Sequence, residues 1–155
     1  MTEEKCCDRF DPKPWDEKTI EWSDKLFVKD YITSLFHIPL NMGSKITKNM
    51  ALIEKANAKE SYQLMLSDEK SMWGSDIYIA VAKDVPGAEM EKISGTFLTK
   101  VFDGPFQMVG QWAKEMGEYV ASQGKKINKM YFSYTTCPKC AKKFGHNYVV
   151  IFAKI

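Results

Sequence analysis

The stretch Ile93-Ser94-Gly95-Thr96-Phe97-Leu98-Thr99-Lys100-Val101-Phe102-Asp103-Gly104-Pro105-Phe106 decides the fold. Its first ten residues are rich in β-branched and aromatic side chains and read as a strand over 93–102. Asp103-Gly104-Pro105 then turns the chain. A proline there suits a helix start, because the N–H it lacks is one that a helix leaves unpaired anyway. Beyond it Phe106, Val109, Trp112, Ala113, Met116 and Val120 recur at helical spacing, which predicts a helix over 106–122 ended by Gly124. Two more strands follow, at 127–135 and 148–154, around a loop that holds Cys137 and Cys140.

Upstream the same order of elements is found. Residues 26–28 and 32–38 are strand-like, and Pro39 and Gly43 end them. Ser44 is the expected N-cap of a helix over 45–56, with Ile46, Met50, Ile53 and Ala56 on one face. Strands are expected at 62–66 and 76–82, with 68–74 as the turn between them. Strand–helix–strand–strand therefore occurs twice, in modules at about 32–84 and 92–155. The segment Asp76-Ile77-Tyr78-Ile79-Ala80-Val81-Ala82-Lys83 lines up with Asn147-Tyr148-Val149-Val150-Ile151-Phe152-Ala153-Lys154. The expected fold is α+β: duplicated modules, an antiparallel sheet, two main helices, and a groove where the modules meet, a place that ligand pockets favour. Residues 25–155 read as one domain. Residues 1–24 read as an arm packed on it, since Pro12 and Pro14 exclude helix and central strand, with Trp15 and Trp22 as its anchors.

Bulk composition narrows the function. The chain has 155 residues, enough for one domain with a real core, and its 45% apolar and 27% charged residues are an ordinary globular balance. A net charge of +2, with signs interspersed, lacks the basic footprint of a nucleic-acid binder. No apolar run is long enough to span a membrane. Residues 1–10 are charged and carry no apolar segment, so a cytosolic protein with reduced cysteines is expected. Aromatics are 13% and methionines nine; part of them is core, and a domain of this size has room to direct several into a cavity as adaptable apolar contacts.

Residues 93–106, with their β run followed by Gly-Pro and an aromatic, resemble the strand-to-helix signature of GyrI-like domains. Ser75-Asp76-Ile77-Tyr78-Ile79-Ala80-Val81 resembles that family's second marker, with Ala80 where proline is usual. The likeness runs from about Phe36 to Ile155. The arm Cys6-Cys7-Asp8-Arg9-Phe10-Asp11-Pro12-Lys13-Pro14-Trp15 and the tail Tyr134-Thr135-Thr136-Cys137-Pro138-Lys139-Cys140-Ala141-Lys142-Lys143 are similar to the cyclopropanoid cyclopropyl hydrolase branch. The resemblance implies capture of a planar apolar small molecule in an aromatic cage. It also implies hydrolysis of the strained ring of DNA-alkylating compounds. Other family members bind small molecules or gyrase-directed partners without chemistry, so sequestration and a protein-interaction role stay open.

Asp76 heads the candidate acids. It shares a strand face with Tyr78, while Ile77, Ile79 and Val81 share the other; a solvated strand-end Asp is the competing reading. Glu115, at the edge of the helical stripe, is the second acid, set against a plain solvated Glu. A Tyr hydroxyl, that of Tyr134, could polarise a substrate carbonyl. The candidate cage is Phe36, Trp73, Tyr78, Phe97, Trp112 and Tyr131, each also readable as core or surface anchor. Tyr131 and Tyr134 have opposite parity, so only one faces a ligand directly. Cys137 and Cys140 have zinc-knuckle spacing but lack an evident second pair, and neither metal nor cofactor is expected. His37 and His146 fit no triad pattern. A monomer or weak homodimer, with no nucleic-acid or membrane partner, is expected.

Overall fold

The computed structural model describes residues 10–35, 38–60, 64–71, 74–135 and 142–155. The chain divides into two compact units: Glu21–Gly95, and Thr96–Ile155 together with the chain up to Ile20. The boundaries fall inside two long strands.

In the Glu21–Gly95 unit, β1 (Lys18–Leu35) lies beside β4 (Gly74–Ala80), and β4 beside β3 (Met65–Ser71), all antiparallel. A two-residue strand, β2 (Ile38–Pro39), folds back on the end of β1. Helix α1 (Met42–Lys55) covers one face through Ile53, packed with Val28, Ile79, Val81 and Val85. β1 is one strand where two were expected, and it starts at Lys18, inside the expected arm. Lys29-Asp30-Tyr31 looks like a polar break in the sequence, yet each residue has a cross-strand partner: Tyr78, Ile77 and Asp76. The true irregularity is Asp24, with φ of 51°, whose N–H donates to Ser94 Oγ at 2.8 Å.

Helix α1 also starts a turn earlier than Ser44 implies. Asn41 holds the cap position, and Ser44 Oγ donates to its carbonyl at 3.0 Å. Asn41 Oδ1 is engaged elsewhere, accepting from Thr33 N at 2.9 Å, so it ties the helix start to β1. Asp30 fastens the middle of the helix, accepting from Asn49 at 2.8 Å and Lys45 at 3.1 Å. β3 runs through Asp68 to Ser71, where the sequence pointed to a turn.

In the other unit, β7 (Tyr148–Lys154) lies between β5 (Glu89–Asp103) and β6 (Lys129–Tyr134), again antiparallel. A 3-10 turn at Phe106–Met108 leads into α2 (Val109–Ser122), so the expected helix is present with a tighter first turn. Trp112, Met116 and Val120 of α2 pack on Leu98, Phe102, Phe132, Val149 and Ile151, and Val109 and Ala113 join them from the same stripe. Trp112 is stacked on Phe102 with ring centroids 5.8 Å apart. Gly104, at φ of 149°, lets the turn pass this ring: a Cβ there would meet Trp112 Cζ2 at 3.2 Å. Among the described residues, no helix is long and apolar enough to cross a membrane.

Candidate functional site

In each unit the strand face turned away from the helix carries candidate site residues. Side chains alternate along a strand, so the residues that pack on the helix identify, by parity, those on the opposite face.

In the Glu21–Gly95 unit that opposite face carries Phe27, Lys29 and Tyr31 on β1, Asp76 and Tyr78 on β4, and Leu66 and Asp68 on β3. Asp76 and Tyr78 thus share a face, as the alternation implies, and both are buried. Asp68 is the direct cross-strand partner of Asp76, and the Oδ2 atom of each is shielded from solvent. Phe27 meets Tyr78 edge-on at 6.3 Å, and Trp22 lies 5.6 Å from Phe27. Lys25 Nζ stands 5.9 Å from both the Trp22 and Phe27 rings. Tyr31, 45% exposed, crosses Gly74: a Cβ at Gly74 would collide with its hydroxyl. Glycine there makes room for the close approach of the Tyr31 ring rather than for a turn.

In the second unit the opposite face is aromatic. Tyr131 and Phe152 are cross-strand partners, and Phe97 lies 6.2 Å from Tyr131. Trp15 packs edge-on against Phe152 at 5.7 Å, and Phe10 lies 5.8 Å from Tyr148. A strap over 12–17 is latched to β5 at three points. Thr99 Oγ1 donates to the Trp15 carbonyl, Val101 N donates to Asp16 at 3.1 Å, and Lys100 meets Glu17 at 3.2 Å. Phe97 and Phe152 are wholly buried, whereas Trp15 is half-buried.

Where this face reaches solvent, Asp103 and His146 form a pair, with Nδ1 to Oδ2 at 2.7 Å. Asp103 Oδ1 accepts from Asn147 N at 2.8 Å. Burial works against the Asp103 charge. The hydrogen bonds from His146 and Asn147, with the attraction of the imidazole, outweigh it, and the carboxyl lies below its ordinary value of 3.8. The His146 ring lies flat on Tyr148, with centroids 5.0 Å apart and planes 12° from parallel.

The expected site residues thus fall on different faces. Phe97 and Tyr131 are together on the aromatic face. Trp112 and Tyr134 are on the helix side of the same strands, in the α2 core, and Glu115 is exposed on α2. Phe36, Trp73, Cys137 and Cys140 lie outside the described residues. Four residues went unrecognised in the sequence. Asp68 was hidden by the turn-like Ser67-Asp68-Glu69-Lys70, although Leu66 and Asp68 keep period-two spacing. Trp15 read only as an anchor. Asp103 and His146, 43 residues apart, meet because they flank two paired strands. No local spacing announces that.

A family model described as a bacterial hydrolase matches residues 1–155 of the chain. The chain belongs to this bacterial hydrolase family. No curated protein matches it. For a bacterial hydrolase, a buried aromatic cluster beside an ionised carboxylate and an imidazole is a coherent set: surface to hold an apolar substrate, and groups to move a proton.

Proposed function

We propose that this bacterial hydrolase is a GyrI-like domain that binds planar apolar small molecules and hydrolyses the cyclopropane ring of cyclopropanoid alkylating agents. The observation that carries the reading is the aromatic face of Trp15, Phe97, Tyr131 and Phe152. Rings of this kind hold a flat ligand by area and by oriented stacking, each good pair contributing about 0.5–1.5 kcal/mol beyond burial. The order strand–helix–strand–strand within each unit supports the GyrI-like assignment. Whole-chain membership of a hydrolase family supports chemistry over sequestration.

The reaction asks little of a nucleophile. When the cyclopropane is conjugated to a dienone, strain relief and aromatisation drive its opening. The protein must exclude bulk water, hold the ring in line with one water, and assist a proton transfer.

The test is incubation with a spirocyclopropyl cyclohexadienone and detection of the water adduct by mass spectrometry. The expected result is adduct formation well above buffer. Recovery of intact but protein-bound compound would replace hydrolysis by sequestration. Recovery of intact, unbound compound would end the small-molecule reading.

A further inference from the structure

We propose that His146, oriented by Asp103, is the general base of this hydrolase, in place of Asp76, Glu115 or Tyr134. The proposal rests on the hydrolytic reading above and names the group that performs it.

The tautomer follows from the geometry. An ionised carboxylate only accepts hydrogen bonds, so the 2.7 Å contact requires a proton on His146 Nδ1. With Nδ1 so engaged, Nε2 is the ring nitrogen left to take a proton, on a side chain that is 53% exposed. The ring is fixed twice, by Asp103 at its edge and by the stack on Tyr148 at its face. Asp103 is itself fixed. Asn147 N donates to Oδ1, Asn147 Nδ2 donates to the Gly104 carbonyl at 2.7 Å, and Gly104 N donates to the Asn147 carbonyl at 3.3 Å. These bonds close the β5–β7 end without His146. An exposed ion pair adds only about 0–1 kcal/mol, so stability alone accounts poorly for an imidazole held this firmly.

Placement ties the pair to the binding surface. Phe97, Thr99, Val101 and Asp103 share one side of β5, and Asp103 pairs directly with Tyr148. Tyr148 and Phe152 share the same side of β7, about 13 Å apart along the strand. The face is buried at Phe97 and Phe152 and reaches solvent at the dyad, so an apolar ligand held at the Tyr148 end lies beside the imidazole.

The step balances with water alone. A water oxygen forms a bond to the ring methylene while His146 Nε2 takes its proton. The cyclopropane C–C bond breaks, and its electron pair makes the dienone a phenolate. The imidazolium returns the proton to that oxygen, for net addition of one water. His146 is the catalytic residue and Asp103 a positioning residue.

The experiment compares wild type, His146→Gln and Asp103→Asn on two probes: the spirocyclopropyl cyclohexadienone, and p-nitrophenyl acetate, which needs an accessible base but no cage. Thermal unfolding confirms that each variant is folded. His146→Gln is expected to lower kcat on the dienone about 10²–10⁴-fold with KM unchanged, and to abolish ester hydrolysis above buffer. Asp103→Asn is expected to lower kcat at least about tenfold, again with KM unchanged. Undiminished dienone turnover by His146→Gln would overturn the proposal while the hydrolytic reading stands. If wild type leaves the dienone intact, that reading fails and the ester decides: activity that His146→Gln removes supports the base, and activity it retains, or none in wild type, overturns it.

Discussion

The two units lay a 14-residue helix against one side of antiparallel strands, and both helices pack by the same kind of aliphatic stripe. Their opposite strand faces differ sharply. One sets two buried carboxylates across from each other beside Tyr78. The other sets out rings and ends in an Asp–His pair. The contrast separates what the fold needs from what it does not. Helix-side residues repeat in character because both units must bury a helix. The helix packing does not ask for an imidazole on Tyr148.

The largest expected effect lies on the shared, helix-packing side. Trp112→Ala removes the ring that stacks on Phe102, at a site 5% exposed, and is expected to cost roughly 3–5 kcal/mol. Chemical denaturation measures the loss. Hydrogen exchange localises it, with protection falling in α2, β6 and β7 before β3 and β4. An equal fall throughout would mean that the two units do not unfold separately.

The next test concerns the glycine that makes room on the acidic face. Gly74→Ala puts a methyl where the Tyr31 hydroxyl lies and 3.0 Å from the Ile32 carbonyl. Overpacking of this kind costs about 1–3 kcal/mol. Because the tyrosine end is an exposed side chain that can swing away, adding Tyr31→Ala should recover most of the loss. Failure to recover would assign the cost to the backbone carbonyl instead.

How much of this was legible in the sequence follows the same division. Helix α2 could be read from Val109, Trp112, Ala113, Met116 and Val120 because a buried helix writes its period into adjacent turns. β7 could be read because it is a run of Val, Ile and Phe. β1 was harder: Lys29-Asp30-Tyr31 is polar because Asp30 serves α1, so a local demand for hydrogen bonds looked like a break in the strand. The faces opposite the helices were legible only in part. Asp76 and Tyr78 stand in one alternating run. The Asp68–Asp76 and Asp103–His146 pairs depend on register between strands, and register is set by tertiary packing rather than by neighbours in sequence.

The smallest expected effect compares one carboxylate from each unit. Asp30 and Asp103 are both held below the ordinary value of 3.8. Burial opposes the charge in each, and is outweighed by bonds from Asn49, Tyr31 N and Lys45 at Asp30, and from His146 and Asn147 N at Asp103. A carboxylate whose folded value is depressed stabilises the fold above its unfolded value, and that contribution drains away as pH falls through the folded one. Stability should therefore decline below about pH 4 in two separable parts. Asp30→Asn should flatten the part that reports α1 leaving β1, since Lys45 and Asn49 lose an ionised acceptor. Asp103→Asn should flatten a weaker part, because Asp103 is 40% exposed and solvent already screens its bonds. Acid unfolding followed by tryptophan fluorescence in both variants separates them. If Asp103→Asn flattened the curve more than Asp30→Asn, the open end of the aromatic face would be bearing structural stress, and an imidazole set there for proton transfer would be the poorer explanation.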